Sequence, residues 1–405
     1  MTDATAPLRV LLLESIHPDA ETLLTQAGYE VSSVGRAYDE RELIEHLPGV
    51  HLLGIRSRTH VGADVLDAAP DLVAVGVFGI GTNQIDVTAA ARRGVAVFNA
   101  PFSNTRSVVE LALAEIIALT RRLTGKNTAM HAGVWDKAAA GSHEIRGRRL
   151  GIVGYGNIGT QLSVLAENLG MQVFFFDIAD RLALGNARRC GTLEELLGSV
   201  DVVTLHVDGR RSNDHLFGEP EFAQMRDGSL LLNLSRGFVL DQGALRSHIE
   251  RGHLAGAAID VFPDEPRARG EAFSSELRGL PNVILTPHIG GLTEEAQQDI
   301  GQFVAGKLRD FAADGTTALS VNLPTVMLAR QPGSRRLMLL HDNVPGVLAT
   351  VNGMLAEQGV NIEGQILATR SEFGCVITDV APTAPTEVID RLRALPHIIR
   401  LLMLG

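Results

Sequence analysis

The stretch Leu150-Gly-Ile-Val-Gly154-Tyr-Gly156-Asn157-Ile158-Gly159 constrains the fold of this chain more than any other. An apolar run of strand type passes directly into three glycines and then into apolar residues at helical spacing, which predicts a helix from Ile158 to about Leu169. The glycines permit a tight turn, close approach of a pyrophosphate to the backbone and close packing of the helix. The unpaired N–H groups opening that helix suit an anion. A plain strand-to-helix turn uses the same glycines, so the motif needs support from elsewhere. Asp177 supplies it by closing the next apolar run: a carboxylate there accepts from ribose hydroxyls and repels a 2′-phosphate. Dinucleotide binding follows as the expectation, with NAD preferred over NADP.

Short apolar runs alternate with amphipathic stretches on both sides of this turn. RVLLL at 9–13, HLLGI at 51–55, LVAVGVFG at 72–79 and VAVFN at 95–99 precede it. VFFFDI at 173–178, VVTLHV at 202–207, SLLLNLS at 229–235, LAGAAIDVF at 254–262 and NVILTPH at 282–288 follow it. Runs this continuous suit strands covered on both faces, and their alternation with helical patterns predicts α/β units around parallel sheets, the second of them doubly wound. Helical spacing recurs from Ser107 to Leu123 and from Glu294 to Ala313. A stretch with Gly315, Pro324, Pro332 and Gly333 then loses all periodicity and reads as a linker. From Arg335 the order strand, helix, strand, strand, helix, strand is that of a ferredoxin-like module.

Composition removes several classes of function. With 36 Lys+Arg against 47 Asp+Glu the formal charge is −11, which disfavours nucleic acid as a partner. Val108–Leu119 is broken by Glu110 and Glu115, whereas a spanning helix needs about 20 nearly uncharged residues, so no membrane association is expected. Cys190 and Cys375 fall in different predicted domains, which leaves neither a disulfide framework nor a cysteine-based metal site, and no metal is expected. The start MTDATAPLRVLLLES has an acidic leader and only a short apolar run, which fits a first strand better than an export signal, and a cytoplasmic protein is the expectation.

Three residues sit at or just past predicted strand ends on the side where open α/β sheets bind ligands: Arg236 in LNLSRG, Glu265 in DVFPDEP and His288 in LTPHIGG. Singly they read as a capping arginine, a solvated acid and a packed histidine. Together, beside a nucleotide motif, they match hydride transfer from a secondary alcohol: an imidazole takes the hydroxyl proton, a carboxylate orients it and favours its charged form, and a guanidinium grips an α-carboxylate. A 2-hydroxy acid is the implied substrate class. In the N-terminal fold Arg56, Ser57 and Arg58 follow a strand, and alternate residues of an extended segment share a side, so both guanidiniums suit one phosphate; a surface charge pair is the plainer reading.

The segments FGIGTNQID, NAPFSNTRSVVELALAE, GYGNIG, NLSRG, AIDVFPDEP and LTPHIGG, in that order, resemble the D-2-hydroxyacid dehydrogenase family. Within it they are similar to the bacterial branch acting on D-3-phosphoglycerate and ending in an ACT domain. The resemblance covers the chain from about Arg9 onward. It implies a Rossmann-type NAD domain (104–290) inserted in a flavodoxin-like substrate domain (1–103 and 291–332), followed by an ACT regulatory domain (333–405). It implies Arg236, Glu265 and His288 as the catalytic residues. Cofactor contacts map to Asn104, Gly154, Gly156, Asn157, Ile158, Gly159, Asp177, Leu234, Ser235, Arg236, Asp260 and His288-Ile289-Gly290-Gly291. Substrate contacts map to Arg56, Ser57, Arg58, Gly79, Ile80, Gly81 and Asn104. L-serine as effector maps to His341, Asn343 and Asn361, and the branch implies a homotetramer paired through NAD and ACT domains, with Trp135 in the pairing segment. Where related chains carry a Gly-Gly hinge, this one reads Gln331-Pro332-Gly333-Ser334, and proline stiffens such a joint. Two other readings share the scaffold: a dehydrogenase of an unphosphorylated 2-hydroxy acid, also compatible with 2-oxoglutarate reduction, and a redox-sensing NAD-binding corepressor.

Overall fold

The N-terminal apolar runs form β1 (Arg9–Leu13), β2 (Glu30–Val34), β3 (Leu52–Ile55), β4 (Ala74–Val77) and β5 (Ala96–Asn99), all parallel in the order β2-β1-β3-β4-β5. This is a computed structural model that describes residues 7–266 and 270–404. By its contacts the chain divides into two units, Met1–Pro101 with Gln297–Gly405, and Phe102–Ala296. Strand residues buried on both sides explain the unbroken apolar runs. In the first unit Leu11, Leu53, Val75 and Val97 meet the short helices on one face, while Val10, Leu12, Ala74 and Phe98 meet Ile300, Val304, Leu308 and Phe311 of helix Glu294–Asp314 on the other.

The second unit holds β6 (Arg149–Val153), β7 (Gln172–Phe176), β8 (Arg188–Arg189), β9 (Val202–Leu205), β10 (Ser229–Asn233), β11 (Leu254–Ile259) and β12 (Val283–Leu285). They form one parallel sheet, β12-β11-β10-β9-β6-β7-β8, whose chain order reverses between β6 and β9. Helices Thr105–Thr120 and Asn157–Asn168 cover one face, and helices Leu193–Ser199 and Gln242–Glu250 the other. The predicted helix over 107–123 ends earlier than its spacing suggests, because Arg122 takes a left-handed backbone (φ 52°) and starts a second helix, Leu123–His131. Several strands also stop short of their apolar runs: β11 ends before Asp260 and β12 before His288, which leaves those side chains on loops.

The C-terminal module is a four-stranded antiparallel sheet of β13 (Arg335–Asp342), β14 (Ile362–Arg370), β15 (Phe373–Val380) and β16 (Ile398–Leu404), ordered β14-β15-β13-β16. Leu337, Leu339, Val376 and Leu401 face its two helices, while Met338, Leu340, Cys375, Ile377 and Leu404 join the core of the N-terminal sheet. The stretch 315–334, read above as a linker, has neither helix nor strand, yet Leu323 and Val326 are buried in that same core. Its Pro and Gly content signals missing periodicity, which is not the same as exposure.

Polar clasps reinforce the apolar contact. Arg400 donates to the carbonyls of Leu72 (2.6 Å) and Pro70 (3.1 Å), and Arg370 to that of Val321 (3.0 Å). Arg336 and Asp379, both fully buried, form a two-point pair at 2.7 Å, and Arg336 also reaches the carbonyl of Leu328. Removing one partner of a buried pair typically costs about 3–5 kcal/mol, since the other charge stays buried without compensation. Asp379→Asn is therefore expected to lower the urea midpoint of this unit substantially; a loss under about 1 kcal/mol would place the pair among ordinary surface bridges.

Candidate functional site

At the end of β6 the three glycines divide two tasks. A Cβ on Gly154 (φ 93°) would lie 2.6 Å from the His206 carbonyl oxygen after β9, and one on Gly159 would lie 2.3 Å from the Gly154 oxygen, so packing alone demands both. A Cβ on Gly156 would meet nothing within 4 Å. Gly156 caps the N-terminus of helix Asn157–Asn168 at the point where the strand order reverses. Open space there, in front of the N–H groups that open the helix, is of the kind that suits a pyrophosphate. Asp177 lies beside it and accepts from the backbone of Tyr155 (2.7 Å) and Ala179 (2.8 Å), so the acid expected to meet the ribose also ties the glycine turn to the end of β7.

The remaining predicted residues of this unit converge across β10, β11 and β12. Gly237 allows it: a Cβ there would overlap the Phe262 carbonyl carbon at 1.9 Å, so the Arg236 turn lies flush against the turn that leads to Glu265. Glu265 Oε2 lies 2.8 Å from His288 Nδ1, and its Oε1 accepts from the Phe262 amide (3.1 Å). The carboxylate hydrogen bond holds the His288 pKa above its ordinary value against the opposing effect of burial. Burial raises the Glu265 pKa, but the His288 contact outweighs it and leaves the acid below the usual carboxylate range. Burial lowers the pKa of Arg236, with Glu265 and Asp208 opposing; the guanidinium donates to the Ser235 carbonyl (2.7 Å).

His288 itself has a left-handed backbone (φ 54°). Its loop is held by Asp260, 1% exposed, which accepts from Thr286 Oγ1 (2.6 Å) and the amides of Ile289 and Gly290 (both 2.8 Å). Ser107 donates to the Gly290 carbonyl (2.6 Å), and Asn104 packs where a Gly291 side chain would stand. Leu234 and Ser235 are buried, and the Ser235 hydroxyl is engaged by Asn233 (2.7 Å), which also receives the Ser235 amide. Asn233 and Thr286 escaped the sequence reading, although a polar residue closing an apolar strand, as in LLLN, is the available signal.

In the first unit Arg56, Ser57 and Arg58 follow β3, and Gly79, Ile80 and Gly81 follow the adjacent β4. In the C-terminal module His341 is buried near one end of β13, with Nε2 unpartnered, and Asn343 lies just beyond that end. Asn361 precedes β14, whose start pairs through Val380 with Arg335 at the opposite end of the sheet. Six residues of strand, about 20 Å at ~3.4 Å each, separate the two ends, so one module does not gather the three. Among the described residues no helix is long and apolar enough to cross a membrane, and no cluster of three or more His, Cys, Asp or Glu suits a metal.

Residues 113–290 match the family model "D-isomer specific 2-hydroxyacid dehydrogenase, NAD binding domain", and 337–400 match "AHAS small subunit-like ACT domain". The chain is 48% identical to the D-3-phosphoglycerate dehydrogenase of Haemophilus influenzae over 97% of its length and 96% of the relative's. It is 49% identical to that of Escherichia coli K12 with the same coverage. The solved D-lactate dehydrogenase of Aquifex aeolicus, complexed with NAD and lactic acid, superposes with a TM-score of 0.68 at 25% identity, covering 78% of this chain and 100% of that one.

One buried acid on helix Thr105–Thr120 stands apart from the pairs above. Glu115 is 3% exposed, neither carboxyl oxygen has a hydrogen-bond partner, and burial, helped by the Asp260 charge, pushes its pKa up to about 8. The folded protein thus keeps a proton that the unfolded chain releases above its ordinary value of 4.5. Stability from this group is complete below that value and is lost as pH rises toward about 8, at up to about 1.4 kcal/mol per pH unit. Glu115→Gln, neutral at every pH, is expected to match the wild type in thermal unfolding at pH 5 and to exceed it at pH 8.5. Parallel Tm–pH curves would contradict the buried neutral acid.

Proposed function

The chain belongs to the D-isomer specific 2-hydroxyacid dehydrogenase family as an NAD-dependent enzyme, and from that premise we propose that it oxidises 3-phospho-D-glycerate to 3-phosphohydroxypyruvate, the first step toward L-serine. The observation that carries this reading is the 2.8 Å contact between His288 and Glu265, on turns beside Arg236 at the carboxyl end of a sheet whose glycine turn leaves a dinucleotide its space.

NAD, when bound, supplies the hydride acceptor. His288 takes the hydroxyl proton through Nε2, since Nδ1 is committed to Glu265. Glu265 fixes the ring and stabilises the imidazolium that results. Arg236, whose partial burial removes competing water, holds the α-carboxylate. Arg56 and Arg58 address the phosphate and the Gly79–Gly81 backbone the carboxylate. Neither Arg56 nor Arg58 has a side-chain hydrogen bond or ion pair among the described residues, which favours a phosphorylated substrate over the unphosphorylated alternative. Slower reduction of 2-oxoglutarate shares the same catalytic group.

L-Serine is the proposed effector of the C-terminal module, bound where His341 and Asn343 of one copy meet Asn361 of another, because their places at opposite ends of the sheet call for two modules. Helix Leu123–His131 buries none of its own residues, and Leu123, Met130, Val134 and Trp135 are all more than half exposed, which suits a subunit-pairing arm. Two such interfaces build a homotetramer, which works in the cytoplasm.

The deciding assay is NADH formation from 3-phosphoglycerate with and without serine. Turnover inhibited by serine is expected, and with His341→Ala the rates with and without serine should coincide; absence of turnover would remove the substrate assignment. The direction of the His288 pKa adds a pH test. Oxidation needs the neutral imidazole, so its acid limb should lie above 6.5, and Glu265→Gln should move that limb to lower pH while slowing turnover. An unmoved limb would separate Glu265 from the acid–base step.

A further inference from the structure

Glu14 closes β1 in an unusual conformation. It and Ser15 are consecutive non-glycine residues with left-handed backbones, φ 68° and 53°, and the Glu14 side chain is buried. β1 is bordered by β2 and β3, and a reversal of strand order such as this, at the carboxyl ends of β1 and β3, is where open α/β sheets generally bind ligands. Glu14 Oε1 accepts from the amides of Arg56 (3.1 Å) and Thr59 (2.9 Å), and Oε2 from that of Arg58 (3.0 Å). Gln84 holds the Arg56 carbonyl. Successive N–H groups converging on one point form a backbone anion seat. Here the chain's own carboxylate fills that seat, and the Ser57 amide is left out of it.

Three donors that an incoming phosphate would otherwise use are therefore already spent, and the anion must be read by the side chains of Arg56, Ser57 and Arg58. Those side chains keep a fixed spacing only while the turn beneath them is fixed. Burial works against the charge on Arg56, and Glu14 is the acid that opposes this. We infer that Glu14 is a positioning residue for substrate selection: an internal anion that shapes the Arg56–Arg58 turn, so that preference for a phosphorylated acid depends on a carboxylate that never touches the phosphate. This rests on the reading of Arg56 and Arg58 as phosphate ligands.

The test compares reduction of 3-phosphohydroxypyruvate with that of hydroxypyruvate, the same skeleton without phosphate, in the full-length enzyme with NADH. Glu14→Gln preserves the shape but turns an amide NH2 toward a backbone donor. The ratio of kcat/KM for the phosphorylated over the unphosphorylated acid is expected to fall at least about 10-fold, with KM for the phosphorylated acid carrying most of the change. Glu14→Asp, which keeps the charge on a shorter arm, should fall between this variant and the wild type, and it is read in the same way should Glu14→Gln fail to fold. An equal loss for both acids would reduce Glu14 to a structural residue, and an unchanged or increased ratio would overturn the inference outright. Arg56→Ala and Arg58→Ala run in parallel: equal losses for the two acids in those variants would remove the phosphate reading itself, whereas selective losses there with none in Glu14→Gln would remove the Glu14 inference alone.

Discussion

The Asp260 carboxylate, buried at the end of β11, accepts three hydrogen bonds from the loop after β12, and the placement of His288 hangs on them. His288 sits in a backbone region that costs of order 1–3 kcal/mol for a residue with a side chain. Hydrogen bonds to a charged acceptor contribute about 1.5–3 kcal/mol each, so three of them offset that strain with some margin. The imidazole is thereby aimed before any substrate arrives, and Glu265 has only to hold one ring nitrogen.

The same device recurs in both units. Asp177 at the end of β7 receives the amide of Tyr155 from the turn after β6, and Glu14 at the end of β1 receives three amides from the turn after β3. In each case a carboxylate at one strand end fastens the turn that follows the neighbouring strand. Parallel sheets make this economical, because all their carboxyl ends open on the same edge and the loops there carry unpaired N–H groups. It also places negative charge beside the turns proposed to meet anionic ligands, a cost limited by saturating those charges with backbone donors.

The fold was legible because buried parallel strands leave unbroken apolar runs, and because the glycine turn at Gly154 is followed by an acid, Asp177, closing the next run. Arg236, Glu265 and His288 stood out because their runs end just before them, which puts them on the ligand side of the sheet. The sequence was silent on how strand-end acids spend their oxygens: Asp177 and Asp260 read as ligand contacts, while the structure shows much of their hydrogen-bonding capacity used within the protein. Glu14 passed unnoticed for a related reason, since nothing in LLLES announces a left-handed pair of residues. Glu115 looked like a mere interruption of an apolar helix, and its lack of partners depends on neighbours distant in sequence. The stretch 315–334 lacks helix and strand, as its proline and glycine content indicates, but that content is silent on the burial of Leu323 and Val326.

The core that joins the N-terminal sheet to the C-terminal module has a consequence for synthesis on the ribosome. Val10, Leu12, Ala74 and Phe98 emerge early together with Ala20 and Leu24, but most of the residues that complete their core, from Ile300 to Leu404, emerge last. Phe102–Ala296 is continuous in sequence and holds its own two cores, so it completes while the first sheet still shows one apolar face. The nascent chain therefore carries an uncovered hydrophobic surface through most of translation, a natural docking point for a holdase chaperone, and a chain cut short before helix Glu294–Asp314 keeps that surface for good.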